Sequence, residues 1–409
     1  MHPGILIIGA GHAGVCAAFS ARQAGYTGQI TIVANEGLES PYERPKLSKW
    51  DARGIAVGPI LAAEQFDKAQ ITRRRGSVVV LDLEQNHAVL NVGDVIDFDR
   101  LLLATGASAR QFPGANPGRQ NLRYLRNLSD AHSLETQCAR SRSAAIIGGG
   151  LIGLELAATF RKIGLQVTVI ESETRSMKRV ASAAIANIVE ERHTQEGVDF
   201  RFGTRVTDID NEARIRLSNG EVISSDLTVV SVGSVPNTDL AQNAGIIVNN
   251  GISVDTHLCT NYPRVFAAGD CCSFPLYGDP ENRVRLESWT SAGEQGKIAG
   301  WNMVRPVKKK CDIVPYFWSE QFENTIQVVG IVEPSRTTVE RSIDANTHIT
   351  FGLNLDSSLA YACGVGHGSS VSREIRFSSK LIAAETKVTA SDLQNPDINL
   401  RALFKNART

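Results

Sequence analysis

Over the first part of the chain, apolar residues gather in short unbroken runs instead of alternating with polar ones. Ile5-Leu6-Ile7-Ile8 is one such run, with glycine on both sides. It predicts a strand buried on both faces, as in a parallel sheet. Residues 13–24 (AGVCAAFSARQA) predict a helix ended by Gly25, and Ile30-Thr31-Ile32-Val33 the next strand. The succession then returns. Ala144–Ile147 reads as a strand, 153–163 as a helix broken at Gly164, and Gln166–Ile170 as a second strand. A further helix is predicted over Ser291–Met303. Residues 326–329 and 348–351 are short β-like runs, after which the pattern turns helical. Strand and helix in alternation predict an α/β protein, here with an α+β segment at its end.

What joins each strand to its helix is the stronger signal. Gly9-Ala10-Gly11-His12-Ala13-Gly14 and Gly148-Gly149-Gly150-Leu151-Ile152-Gly153 are both GxGxxG. The first glycine (Gly9, Gly148) permits the tight turn, the second (Gly11, Gly150) lets backbone approach a pyrophosphate, and the third (Gly14, Gly153) lets helix pack on strand. The helix N-terminus then aims free N–H groups at phosphate. Glu36 and Glu171 follow the second strand of each unit, placed to accept from ribose hydroxyls. Two complete units imply two dinucleotides, one permanently bound and one exchanged. A carboxylate at Glu171 accepts from a free 2′-hydroxyl and repels a 2′-phosphate, which favours NADH. Arg175, Lys178 and Arg179 lie close behind it, either as a solvated basic face or as phosphate contacts.

Composition narrows the class. The chain has 409 residues, 42% hydrophobic and 21% charged, with 43 basic and 43 acidic side chains. That size suits two or three domains and excludes a disordered chain. A net charge of zero lacks the basic excess of a nucleic-acid binder. No apolar run reaches the roughly 18 residues of a membrane span. The apolar start lacks the basic leader of a signal peptide, so the expected setting is cytoplasmic. The seven cysteines (Cys16, Cys138, Cys259, Cys271, Cys272, Cys311 and Cys363) are scattered, with no CxxC. They read as reduced thiols and not as a disulfide framework or a zinc site, and no metal is expected.

Further segments carry a resemblance. They are Pro41-Tyr42-Glu43-Arg44-Pro45-Lys46-Leu47-Ser48-Lys49, Leu102–Gly106, Val232–Asn237, Thr260–Asp270, Arg285-Leu286-Glu287-Ser288-Trp289, Val314–Gln321 and Asp392–Leu403. With the two glycine motifs they resemble a two-dinucleotide flavoprotein of the glutathione-reductase class. More closely, they resemble the FAD-dependent ferredoxin reductases of bacterial aromatic-ring dioxygenase and cytochrome P-450 systems. The chain departs from that family at Lys46, where a second proline is usual, in Ala107–Arg110, and at Ser370-Val371-Ser372, which replaces Asn-Asp-Pro.

The resemblance implies two Rossmann-like domains and a C-terminal α+β domain. Residues 1–108 and 238–318 would bind FAD, 109–237 would bind NADH, and 319–409 would form an α+β interface domain. It places FAD against Gly9, Gly11, Ala13, Gly14 and Glu36, against Arg44, Lys49 and Arg110, and against Ala104, Thr105 and Gly106. Gly269 and Asp270 would reach its ribityl chain, and Glu287, Ser288, Trp289 and Trp318 complete the set. NADH would meet Gly148, Gly150, Leu151, Ile152, Gly153, Glu155, Glu171, Val232 and Gly233. Lys49 and Glu155 would pair beside flavin N5, and Trp318 by the isoalloxazine would help electrons leave. The implied partner is a [2Fe-2S] ferredoxin feeding an oxygenase of aromatic hydrocarbon catabolism. Arg73-Arg74-Arg75 and Lys308-Lys309-Lys310 are its docking surface or plain solvated runs.

Two other functions stand beside this one. A disulfide reductase or NADH oxidase needs a cysteine beside the flavin, and residues 36–62 contain none. A redox-sensing, NADH-binding flavoprotein resembling apoptosis-inducing factor shares the fold. The missing basic excess and N-terminal targeting segment count against it.

Overall fold

The computed structural model describes residues 3–36, 41–113, 121–210, 214–333 and 336–406. They fall into two compact units. Unit 1 comprises Met1–Arg44, Val57–Ser108 and Ser234–Ile313, and unit 2 comprises Pro45–Ala56, Ala109–Gly233 and Val314–Thr409.

Unit 1 is built from the first glycine motif. Strand β1 (Gly4–Ile8) runs into helix α1 (His12–Gln23), which returns the chain to β2 (Ile30–Ala34). Strands β3 (Ile71–Arg75), β4 (Val78–Asp82), β5 (His87–Leu90) and β6 (Val95–Leu103) follow. The sheet order is β3-β2-β1-β6-β5-β4, with Val265–Ala267 also paired to β6. The pairs β1–β2, β1–β6, β2–β3 and β6 with Val265–Ala267 are parallel. β4, β5 and the start of β6 form an antiparallel meander. Every residue of β1 and β2 is buried, as expected of strands covered on both faces. One cover is α1 packed against the helix Trp289–Val304, two residues longer at its start than the sequence pattern predicts. Gly296 and Gly300 make that contact close. A Cβ on them would sit 2.2 Å and 2.3 Å from the carbonyl oxygens of Ala13 and Ala17.

Unit 2 repeats the plan around the second motif. Its parallel sheet runs Val198–Arg201, Gln166–Ile170, Ser143–Ile147, Leu227–Val230, Leu122–Tyr124. The helix Leu151–Lys162 leaves the glycine turn with eight buried residues on it. The C-terminal residues form a five-stranded antiparallel sheet in the order Tyr316–Gln321, Asn324–Gly330, Leu359–His367, Thr347–Leu353, Thr337–Asp344. The helix Ser372–Ala383 packs on it. One apolar cluster joins Leu154, Ile185 and Val189 of the nucleotide-type helices to Ile326, Val328, Cys363 and Val365 of this sheet. That shared core is why stretches 109–233 and 319–409, which the sequence reading gives to separate domains, form one unit, together with 314–318, which that reading places with 238–318. The same unit takes residues 45–56, which that reading places with 1–108. Among the described residues, no helix is long and apolar enough to cross a membrane.

Candidate functional site

The first glycine turn has the geometry its spacing predicts. Gly9 has φ +115°, and a Cβ there would meet the Ala104 carbonyl oxygen at 2.1 Å. A Cβ on Gly14 would likewise sit 2.0 Å from the Gly9 carbonyl oxygen. Gly11 differs from both. Its φ is an ordinary −71°, and a Cβ on it would meet nothing within 4 Å. The backbone there faces open space at a helix N-terminus that carries no acidic residue in its first turn. Ala104, Thr105 and Gly106 run beside this turn. Ala104 donates its N–H to the Ile8 carbonyl, and Asn237 clamps the loop through Thr105 Oγ1 (2.6 Å) and the Thr105 carbonyl (2.9 Å).

Charged residues gather at the same end of unit 1. Glu36, just past β2, accepts from Tyr42 Oη at 3.0 Å and from the Arg44 guanidinium. Burial works against the Arg44 charge, yet Tyr42, Glu36 and Asp270 together hold its pKa above the ordinary value. Gly269 N–H donates to Gln295 Oε1 (2.8 Å), and Arg285 reaches the Asp270 carbonyl and the Glu287 carboxylate. Ser288 caps the helix that Trp289 begins. Trp289 stacks on His12, centroids 3.7 Å apart at 15°. Burial, then Lys297, pushes His12 down to about 4 against the pull of Glu43 and Glu294. The sequence pattern gives no sign of that stack, because the two residues are far apart in the chain.

Several donors at this end have no partner. Arg285 Nε, Ser291 Oγ and Gln295 Nε2 are buried without a hydrogen bond. Buried polar groups are rarely left so unless a ligand or water answers them. With the open space at Gly11, they fit a polar, phosphate-bearing cofactor such as FAD.

The second turn repeats the first. Gly148 has φ +110° and Gly153 abuts the Gly148 carbonyl, while a Cβ on Gly150 would meet nothing within 4 Å. Leu151 and Ile152 begin the helix, and Ile152 is exposed. Glu171 is already engaged locally. Its Oε2 accepts from Gly149 N–H (2.7 Å), and its Oε1 from Glu173 N–H (2.9 Å) and Ser172 Oγ (3.2 Å). Val232 and Gly233 follow the strand Leu227–Val230, and Arg110 N–H donates to the Gly233 carbonyl. Of the three basic residues behind Glu171, Arg175 is tied to the carbonyls of Ser176, Lys178 and Ala181, and Lys178 pairs with Glu173. The Arg179 guanidinium stands beside Gly233.

The helix Leu151–Lys162 also carries Glu155, which is 6% exposed. Lys49 Nζ lies 3.1 Å from its Oε1 and donates to the Pro45 carbonyl. The structure adds three polar partners that the sequence reading misses. The Ser48 hydroxyl donates to Oε2, Ser319 Oγ to Oε1 (2.7 Å), and Gln321 Nε2 to Ser319 Oγ (2.9 Å). The signal for Ser319 and Gln321 is visible in YFWSEQ, where Ser and Gln stand at alternate positions of a strand. Trp318 stands on the strand's other face with Tyr316, centroids 6.2 Å apart, and is half-buried. Tyr316 and Phe317 each pack against an apolar cluster, as expected of core aromatics.

The remaining candidates divide. Arg73, Arg74 and Arg75 lie on β3, Arg73 against Asp67 and the Phe66 ring and Arg74 against Asp94. Lys308 donates to the carbonyls of Asn302 and Arg305, and Lys309 stands 3.7 Å over the Trp301 ring. All seven cysteines are unpaired. Burial raises the thiol pKa of Cys138, Cys311 and Cys363 to about 12, which makes poor nucleophiles of them.

The sequence profile of the pyridine nucleotide-disulphide oxidoreductase family matches residues 3–296, and that of the reductase C-terminal domain matches residues 316–404. Rhodocoxin reductase of Rhodococcus erythropolis is 36% identical over 97% of this chain and 93% of its own length. Among solved structures, the ferredoxin reductase for the CYP199A2 system from Rhodopseudomonas palustris superposes with a TM-score of 0.90. It is 31% identical and the match covers 98% of this chain and 99% of that one. The covalent putidaredoxin reductase–putidaredoxin complex matches with a TM-score of 0.89 at 29% identity, covering 100% of this chain and 99% of that one.

Proposed function

Because the chain belongs to the pyridine nucleotide-disulphide oxidoreductase family and ends in a reductase C-terminal domain, we propose that it is an FAD-dependent NADH:ferredoxin reductase. The observation that carries this reading is the pair of glycine turns. Each opens onto a helix N-terminus, and in each the middle glycine faces empty space. When bound, FAD accepts a hydride from NADH and passes its electrons on one at a time.

The residues of the chain bind, orient and hold charge. Gly11 and the start of α1 meet the FAD pyrophosphate, with Arg44 supplying positive charge and Glu36 meeting a ribose. Ala13, Gly14, the Ala104–Gly106 loop and Arg110 line the cofactor, and Gly269 with Asp270 meets its ribityl chain. Glu287, Ser288 and Trp289 bring the N-terminus of the helix Trp289–Val304 towards the ring. Gly150, Leu151 and Ile152 do for NADH what Gly11 does for FAD, with Val232 and Gly233 beside them. Glu171 takes the ribose hydroxyls of NADH and disfavours a 2′-phosphate. The Lys49–Glu155 pair holds a fixed charge where the hydride arrives, and Trp318 serves the exit of electrons. FAD thus falls to residues 1–108 and 238–318, NADH to 109–237, and the acceptor to 319–409.

The acceptor is a [2Fe-2S] ferredoxin that feeds an oxygenase. Relatives named for such partners support this. So does the lack of any cysteine in residues 36–62, which counts against NADH oxidation or disulfide reduction through a cysteine beside the flavin. Scattered, unpaired cysteines suit a cytoplasmic setting. Steady-state NADH oxidation with a [2Fe-2S] ferredoxin tests the reading. Turnover with the ferredoxin well above that with oxygen supports it. Flavin that NADH reduces, but that passes no electrons to any ferredoxin, favours the sensor instead.

A further inference from the structure

Strand Tyr316–Gln321 meets Glu155 inside unit 2. Side chains alternate along a strand, so Ser319 and Gln321 share a face opposite Tyr316 and Trp318. Both are buried, 0% and 1% exposed. Two polar residues at successive buried positions of one strand face call for an explanation, since such positions ordinarily go to apolar side chains.

Their hydrogen bonds supply it. Gln321 Nε2 can only donate, and it donates to Ser319 Oγ. That leaves the single Ser319 hydroxyl proton pointed at Glu155 Oε1, 2.7 Å away. Lys49 Nζ reaches the same oxygen at 3.1 Å, and Ser48 holds the other. The terminal torsion of a glutamate is soft, and a lysine on a four-carbon stem does little to fix it. A short serine side chain, itself fixed by an amide, does.

We infer that Ser319, oriented by Gln321, is the positioning residue that sets the rotation of the Glu155 carboxylate and so keeps Oε1 directed at Lys49. The C-terminal sheet thereby supplies a working part of the Lys49–Glu155 pair. This deepens the reading above, since it rests on that pair serving the flavin.

Two measurements test it. In flavin-free protein, chemical denaturation of Ser319→Ala, Glu155→Gln and the double variant is expected to be non-additive, the second change costing much less once the first is made. Additive effects would overturn the inference. In FAD-loaded protein, Ser319→Ala is expected to lower the limiting rate of flavin reduction by NADH about tenfold, with NADH half-saturation and FAD content unchanged. Ser319→Thr, which keeps the hydroxyl, should recover most of that rate. Gln321→Met, which keeps the serine but frees its proton, should show a smaller loss and carries the test if Ser319→Ala does not fold. A Ser319→Ala rate within about twofold of wild type, or a threonine variant as slow as the alanine one, overturns it. The two failures are distinct. If the pair does not serve the flavin, Lys49→Ala also reduces at near the wild-type rate, whereas a wrong role for Ser319 alone shows as a slow Lys49→Ala beside a near-wild-type Ser319→Ala.

Discussion

Glu155 is a buried carboxylate with a lysine and two hydroxyls on its two oxygens. Such a group is stable only while its partners remain. Lys49→Ala leaves the carboxylate buried without a cation, and breaking pairs of this kind costs roughly 3 kcal/mol or more. The remaining hydroxyls place this case at the lower end. We expect Lys49→Ala and Glu155→Ala to slow flavin reduction by NADH far more than they loosen FAD. Stopped-flow rates near wild type in both variants would remove them from the site. At Glu171 the same reasoning gives a different outcome. Its oxygens are taken by Gly149, Ser172 and Glu173 within unit 2, so the carboxylate is held in one orientation at the second glycine turn. Glu171→Ala should narrow the preference for NADH over NADPH, read as the ratio of the two kcat/KM values. An NADPH efficiency equal to that of NADH in the unaltered protein would end the argument.

At the scale of elements, the two glycine turns separate folding from binding. Gly9 and Gly14 are required by the turn itself, since a side chain on either would strike a carbonyl. Gly11 is not so required. Its φ of −71° suits any residue and its neighbourhood is open. Gly11→Val should therefore leave the denaturation midpoint of the flavin-free protein almost unchanged, yet the purified variant should lack yellow colour. A colourless but normally stable protein is the expected result, and a yellow one would overturn it. Gly300→Ala should do the reverse of Gly11→Val. It forces α1 away from the helix Trp289–Val304, at a cost of roughly 1–3 kcal/mol. The same helix pair carries a pH dependence. Burial pushes the pKa of His12, stacked on Trp289, down to about 4 in the fold from 6.5 unfolded. The fold favours its neutral form, so this stability is complete above pH 6.5 and is lost as pH falls from 6.5 towards 4. Urea midpoints across that window should fall less steeply for His12→Gln. Parallel slopes would show that other groups set the acid limit.

For the molecule as a whole, what could be read in advance was local. Each GxGxxG unit spans a strand, a turn and a helix that touch within a short stretch, so spacing alone predicts its shape. Contacts made at long range were hidden from spacing, and the Lys49–Glu155 pair was legible only through the family resemblance. Ser319 and Glu155 are 164 residues apart in the chain, and no periodicity links them. The grouping of 45–56 with the second unit is hidden for the same reason, since the chain passes there only briefly. Charge patterns mislead in a related way, because a run of like charges says nothing of what each group touches. Lys308 donates to two carbonyls, and burial with the nearby Arg100 lowers its pKa. Lys309 lies over Trp301, and Arg74 is paired with Asp94.

The docking prediction follows from those contacts. Net charge is zero, so an acidic ferredoxin would be steered only by a local patch. Exposed charges are screened beyond about 8 Å at physiological ionic strength. Ferredoxin turnover should therefore weaken with added salt while reduction of the flavin by NADH changes little. Reversing Lys308 would break a helix-end contact, so the informative reversals are Lys309 with Lys310, and Arg75 alone. Each should raise the apparent KM for ferredoxin and leave ferricyanide reduction unaltered if its run is the docking surface. If neither does, both runs are ordinary solvated surface. The acceptor must then be sought around Trp318, where the strand that holds Ser319 against Glu155 turns its aromatic face the other way.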